Sequence, residues 1–518
     1  MSNRPVSTTD LPEPGPGADR LRQALLDASF TADGVLELLG ATAYAALARG
    51  ETVPAERAIR GDDGPRATLV RLFLLNRPVP AGPAETALPA GEALAGGWLR
   101  PGAGGGGTLR AAVDIRPYAG PDGEDWWIVS DAGCAVGGAA GLRTTAATGG
   151  RDVVLGAGGA SSTLAQITVR TPVTRALDVG TGCGIQALHA ARHATEVTAT
   201  DVNPRALRMT RLTLALSGVP AADVREGSLF GPVEDDEPYD LIVSNPPFVI
   251  SPPEPGERLT YRDGGLPGDE LCRTLVRRSA AHLAPGGYCQ LLANWQHVEG
   301  EDWRERVSSW VPPGCDAWIM QREEQDVAQY TELWLRDAGV HRDDQRRWEE
   351  RYEAWLEEFA ARRTRAVGFG WITLRRTDAE DRSVIVEDWP HAVEQPLGDE
   401  IRSHFERLDF LRRHDDASLL NRRFVLAENA VQEQIGRPGA EDPEYVVLRR
   451  RSGVMRATTL DTVGAGFAGS CDGTLPAGVI ADAIAQLLAE DPVLLRDRIP
   501  PVLRALVEEG FLLPCTGD

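Results

Sequence analysis

The stretch RALDVGTGCGIQALHAAR (175–192) decides how the rest of the chain is read. Its first six residues suit a buried strand, and Ile185–Arg192 carries helical spacing. Between them, Asp178-Val-Gly180-Thr181-Gly182-Cys-Gly184 places three glycines in one turn. Glycine tolerates positive φ and lets a ligand approach the backbone, and a helix start offers free N–H donors. The same pattern also serves plain tight packing of strand against helix. Outward from this point strands and helices alternate. EVTATD (196–201), a weaker segment near Asp223, YDLIVSN (239–245) and GYCQLLAN (287–294) read as strands. Pro204–Ser217 and Gly268–Leu283 read as helices, with Gly218 and Pro285-Gly286-Gly287 as stops. CDAWIMQ (315–321) and VGFGWITLRR (367–376) extend the pattern. Such alternation predicts an α/β fold with a parallel sheet wound on both faces. An Arg-, Glu- and Trp-rich helical insertion, about 322–366, reads as a solvated charged face.

The flanks are less regular. Residues 1–17 read as a disordered tail without an apolar signal core. Residues 18–132 hold helical spacing over Leu21–Gly50, with Gly40 as a stop, and over Ala67–Leu75. The strand-like runs 109–118 and 125–131 follow, which suits either a winged-helix-like module or a helical cap with a β-hairpin. A glycine-rich linker (133–170) leads to the central domain (171–378). A C-terminal α+β module (379–518) is predicted to hold a helix at Leu397–Leu411, strands at 445–450 and 454–460, and helices from Pro476 and Asp491. It reads equally as a second winged-helix-like unit or as a packing or dimerisation domain.

Composition excludes several chemistries. The chain of 518 residues has net charge −22, from 76 acidic and 54 basic residues, and every basic residue is Arg. Without Lys there is no Schiff base and no P-loop lysine. The seven cysteines form no C-x-x-C pair, so a reducing, cytoplasmic setting without a disulfide framework or structural zinc is expected. No run approaches the roughly twenty apolar residues that span a bilayer. His189 and His193 lie one turn apart with no third ligand, and Cys183 reads as a small filler. The Trp residues at 295, 303, 310, 318, 334, 348 and 355 read as packing residues rather than base-stacking platforms. Arg262 and Asp263 read as a solvent salt pair or a substrate contact.

Two further elements follow the glycine turn in order. Asp201 ends the second strand, where it suits hydrogen bonding to a ribose diol or capping of the Pro204 helix. Asn245-Pro246-Pro247-Phe248 follows the apolar strand LIVS. Prolines lack N–H, so the Asn245 amide oxygen and the Pro246 carbonyl can together accept both hydrogens of one planar –NH₂, with Phe248 stacking on its plane. This combination resembles the HemK-type branch of class I S-adenosylmethionine-dependent methyltransferases, which carry N-P-P-[FY] and include release-factor glutamine and adenine/guanine amino methyltransferases. Tyr261-Arg-Asp-Gly-Gly265 and Pro285-Gly-Gly287 resemble further family segments.

The resemblance implies a Rossmann-like sheet, mostly parallel with its last strand antiparallel, and S-adenosyl-L-methionine as cofactor. It implies cofactor contacts from Asp178, Gly180, Thr181, Gly182, Gly184, Asp201, Ser228 and Asn245, and catalysis by Asn245, Pro246, Pro247 and Phe248. Two departures stand out: Glu226-Gly227-Ser228 replaces the usual acid after the third strand, and Gly159-Ala-Ser-Ser-Thr163 replaces a Pro-Arg stretch upstream. The implied activity is N-methylation of a macromolecule with no membrane partner. The acidic balance favours a protein glutamine amide, on a translation-related protein, over an RNA or DNA base. A regulator that senses the cofactor and binds nucleic acid is the non-enzymatic alternative.

Overall fold

The computed structural model describes residues 11–102, 107–133, 152–252, 264–337, 345–438 and 443–515. The chain begins with helices α1 (Pro16–Asp27), α2 (Ala32–Ala48), α3 (Val53–Ala58) and α4 (Pro65–Phe73). Gly40 breaks the helical dihedrals inside α2 at φ 74°, where the sequence places a stop. Strand β1 (Val79–Pro80), helices α5 (Ala81–Ala87) and α6 (Ala90–Ala95), and strands β2 (Leu99–Pro101) and β3 (Thr108–Ala111) follow. The three strands pair antiparallel in the order β1-β3-β2. Next, β4 (Val113–Ala119) and β5 (Asp125–Asp131) form a hairpin.

The run expected at 109–118 is therefore divided between β3 and β4. The hairpin is also no projecting wing, because six of the seven β5 residues are buried. Trp126-Trp127-Ile128-Val129 is apolar on both sides, so both faces need cover.

The central α/β region runs through α7 (Gly159–Ile167), β6 (Val173–Val179), α8 (Ile185–Ala190), β7 (Ala194–Asp201), α9 (Pro204–Leu216), β8 (Asp223–Glu226), β9 (Tyr239–Ser244) and α10 (Glu270–His282). It continues through β10 (Leu283–Val298), α11 (Trp303–Ser308), β11 (Cys315–Asp326), α12 (Val327–Asp337), α13 (Gln345–Ala361), β12 (Thr364–Arg376) and β13 (Val384–Asp388). Eight strands pair in the order β13-β11-β12-β10-β9-β6-β7-β8. Only β12 runs against its neighbours; the other paired strands are parallel. This is a Rossmann-like α/β arrangement. The sheet runs past the boundary expected at 378, because β13 adds to β11 by main-chain pairing that an amphipathic pattern does not reveal. The chain leaves β6 outward to β7 and β8, then returns to β9 on the other side. The β6/β9 junction is thus the switch point above which such sheets bind ligands.

The helices before residue 100 do not stand apart from this sheet. One core joins Leu21, Phe30, Phe73 and Trp127 to Leu188, Met209 and Leu212. The Trp127 and Val129 N–H groups donate to Ser217 Oγ and Thr213 Oγ1, both at 3.0 Å, tying β5 to the end of α9. A second core under β9, β10 and β12 holds Ile242, Leu275, Trp295, Trp310 and Ile372.

Residues 166–170 and 391–518 form a separate compact unit. It contains α14 (Gly398–Arg413), α15 (Asp416–Leu420), β14 (Arg423–Leu426), β15 (Ala430–Ile435), β16 (Tyr445–Arg450) and β17 (Ala457–Leu460). After these come α16 (Thr462–Ser470), β18 (Asp472–Pro476), α17 (Ala477–Leu488), α18 (Pro492–Glu508) and β19 (Leu512–Pro514). Two antiparallel sheets, β15-β16-β17 and β18-β14-β19, enclose a core of Phe424, Phe467, Ile480, Leu503 and Phe511. No helix among the described residues is long and apolar enough to cross a membrane.

Candidate active site

The turn after β6 combines two kinds of glycine. Gly180, Gly182 and Gly184 all have positive φ, at 76°, 57° and 83°. A Cβ on Gly180 or Gly182 would meet no atom within 4 Å, whereas one on Gly184 would lie 2.9 Å from Thr210 Cα. The first two glycines therefore leave a cradle, and the third admits close packing of α8 on α9. The Gly180 and Thr181 N–H groups donate to Thr200 O at 2.8 and 2.9 Å, pinning the turn to β7.

Asp178 lies beneath this turn, buried. Its Oδ2 accepts from Thr181 Oγ1 at 2.6 Å and from Ala187 N at 3.1 Å. Its Oδ1 is buried without a partner among the described residues. Burial pushes the carboxyl up to about 7, against the pull of the Thr181 and Ala187 hydrogen bonds. Asp178 is not among the residues that line the cavity described below. Asp201, at the tip of β7, accepts from Gly182 N at 3.0 Å and from Asn203 N at 2.9 Å. Burial raises its pKa as well. Asp201 does not cap α9, because that cap is Asn203, whose Oδ1 accepts from Arg205 N at 2.9 Å.

The N-P-P-F corner lies directly beside the turn. Val179 and Ser244 are register partners in the parallel pair β6/β9. Gly180 and Asn245 are thus the first residues past the same edge of the sheet. Ser244 Oγ donates to Val179 O at 2.8 Å and locks that junction. A cavity of about 550 Å³ is lined by Gly180, Thr181, Gly182, Asp201 and Ser228 on one side and by Asn245, Pro246, Pro247 and Phe248 on the other. Glu226, two residues before Ser228, does not line it. Gly184 also stands outside, consistent with its packing role.

Several contributors are invisible at the level of motifs. Ser161, in the first turn of α7, accepts at Oγ from Asn245 Nδ2 at 3.3 Å, while Gln186 Nε2 holds the Ser161 carbonyl at 2.7 Å. Asn245 Oδ1 has no partner among the described residues. Trp334 and Asp337, at the end of α12, also line the cavity. The insertion is therefore more than a solvated face, because its inner side packs an apolar cluster with Val249 and Ile250. Among the described lining residues the only charged groups are Asp201 and Asp337, and none is Arg or His.

Other tempting residues stay structural. His189 is buried, with Nε2 3.0 Å from the Tyr118 hydroxyl and its ring edge-on to Trp126. Burial pushes the Cys183 thiol up to about 12, away from the thiolate form that reacts. Tyr261, Arg262 and Asp263 lie outside the described residues; Gly264, next to them, lines the cavity.

A family described as "Methyltransferase small domain" matches residues 158–303. Two families described as domains of unknown function (DUF7059 and DUF7782) match residues 27–112 and 402–514. The chain is 42% identical over 130 residues to a release factor glutamine methyltransferase of Deinococcus radiodurans, covering 23% of this chain and 45% of that protein. It is 35% identical over 127 residues to a ribosomal protein uL3 glutamine methyltransferase of Bradyrhizobium diazoefficiens, covering 23% and 40%. It is 33% identical over 132 residues to a ribosomal RNA small subunit methyltransferase C of Escherichia coli, covering 25% and 34%. The chain thus spans less than half the length of each of these relatives.

Proposed function

We propose that this chain, whose central domain is a class I S-adenosylmethionine-dependent methyltransferase of the HemK type, methylates the side-chain amide nitrogen of a glutamine in a protein. The observation that carries this reading is the shared cavity, in which the glycine cradle with Asp201 faces the Asn245–Phe248 corner across the β6/β9 junction.

The residues present fit the cofactor. The empty space over Gly180 and Gly182 and the carboxylate of Asp201, all on the cavity wall, suit such a molecule, and the unpartnered buried oxygen of Asp178 lies beneath the same turn. Gly180, Thr181 and Gly182 would hold its amino-acid part, Asp201 its diol, and Ser228 the adenine edge. When bound, S-adenosylmethionine supplies a methyl group activated by a sulfonium.

The remaining work belongs to this chain's own groups. Asn245 Oδ1 and the Pro246 carbonyl accept the two N–H bonds of the planar amide, Pro247 stiffens the corner, and Phe248 covers the amide face. Ser161 orients Asn245 by taking its Nδ2 donation. An amide nitrogen that has gained a methyl group is cationic and sheds a proton readily, so alignment rather than a strong base is what catalysis requires.

Protein is favoured over nucleic acid by charge. The described lining has no cation, although the chain contains 54 Arg, and it bears two acids. A base within a phosphate backbone would meet repulsion there. Incubating the full chain with tritiated S-adenosylmethionine and cell extract, then separating protein from nucleic acid, tests the reading. Label in protein, recovered as methylglutamine after complete proteolytic digestion and as methylamine after acid hydrolysis, is the expected result. Label in RNA or DNA would replace it with the base-methylating reading, and label in neither, with cofactor bound, would leave the sensing regulator.

Two cofactor effects follow. Asp201→Ala should weaken S-adenosylmethionine binding by roughly 10²-fold through the loss of charge-assisted hydrogen bonds, with the fold retained. Unchanged affinity by calorimetry would remove the ribose role. The Asp178 carboxyl, raised to about 7 by burial, is largely neutral at low pH. A cationic cofactor favours its ionised form, so binding expels a proton and affinity should rise roughly tenfold from about pH 5.5 to 7. Asp178→Asn should flatten that profile, and a flat profile in the unaltered protein would count against electrostatic coupling between Asp178 and the bound cation.

A further inference from the structure

The insertion reads from sequence as a charged outer face, yet Tyr330 within it is fully buried. Positions 330, 334 and 337 fall on one stripe of α12, since residues four and seven apart share a helix face. Trp334 and Asp337 line the cavity, and Tyr330 packs behind them with its ring 6.1 Å from that of Trp334. The Tyr330 hydroxyl accepts the Ile250 N–H at 3.0 Å and Asn294 Nδ2 at 3.1 Å. Ile250 lies two residues past Phe248, while Asn294 belongs to β10, where it pairs with Phe369 of β12. One phenol oxygen thus joins the downstream end of the N-P-P-F corner to the sheet. Pro246 and Pro247 bring no N–H of their own, so the corner has few backbone donors by which it can be held, and Ile250 N–H is one of them.

We infer that Tyr330 is a positioning residue for methyl transfer, acting through Ile250 to hold the Asn245–Phe248 corner against the cofactor turn, and that the insertion is thereby part of the acceptor site. The inference rests on the proposed role of that corner. A shift of about 1 Å in a reacting group costs on the order of 10²-fold in rate, so a pin at this point governs turnover.

Tyr330→Phe keeps the ring and its packing and removes only the accepting oxygen. Three quantities test it in the full chain: initial methyl transfer into whichever extract fraction the unaltered protein labels, S-adenosylmethionine affinity by calorimetry, and amide exchange of residues 246–252 by mass spectrometry. The expected result is a rate lowered by about tenfold or more, affinity unchanged, and faster exchange at Ile250. Trp355→Phe trims the same aromatic cluster and leaves the Tyr330 hydroxyl and its hydrogen bond to Ile250 in place. It should lower thermal stability while keeping the rate. Full activity in Tyr330→Phe, or an equal loss in Trp355→Phe, overturns the inference. If the unaltered protein labels neither fraction, the proposed function fails instead. Exchange then decides the inference, with unchanged protection of Ile250 in Tyr330→Phe refuting it.

Discussion

Replacement of Asn245 by Ala is expected to slow methyl transfer by about 10³-fold while leaving S-adenosylmethionine affinity nearly unchanged. Asn245 supplies an acceptor at the first position past β9, and among the described residues its side chain makes one hydrogen bond, the 3.3 Å donation to Ser161 Oγ. Truncation therefore costs the fold about 1 kcal/mol at most. The cofactor cradle, pinned to Thr200 O and Asp201, does not depend on that side chain. What disappears is the oxygen that fixes the lone-pair direction of the incoming nitrogen. Steady-state rates paired with calorimetry check this, and near-normal turnover in Asn245→Ala would remove the corner from the chemistry. Ser161→Ala should give a smaller loss of the same kind, since it frees the Asn245 carboxamide to rotate.

The second large effect separates glycines that sequence alone treats alike. Gly184→Val should cost on the order of 4 kcal/mol of stability. It forces a β-branched residue to φ 83° and drives a Cβ to 2.9 Å from Thr210 Cα, where only backbone can yield. Gly182→Ala meets no atom, so its cost is limited to the strain of a left-handed alanine, about 1–2 kcal/mol. Its added methyl instead enters the cradle, and S-adenosylmethionine affinity should fall by roughly 10²-fold. Denaturant midpoints and calorimetry on the two variants distinguish the roles. A stable Gly184→Val, or a Gly182→Ala that binds cofactor normally, would show the assignment to be reversed.

The strand–helix alternation from Arg175 to Arg376 was legible because hydrophobic period and glycine or proline stops are properties of neighbours in sequence. β6, β7, β9 and β10, α9 and α10, and the three motifs they carry stand within a few residues of the positions read from the pattern alone. The flanks were less legible. The β4/β5 hairpin has the local signature of a free wing, yet Trp126, Trp127 and Val129 are buried, and a surface facing α9 cannot be inferred from either segment separately.

The amino-acid sequence by itself determined the order of the elements, the strained glycine turn, the acid at the tip of β7 and the proline corner after β9. Each of these is encoded within a dozen residues, where backbone preference and side-chain period dominate. Only the tertiary structure decided which side chains share the cavity. Ser161 reaches Asn245 across 84 positions, and Tyr330 reaches Ile250 across 80. Contacts at such separations depend on how the sheet closes and where an insertion folds back, and no short-range pattern records that.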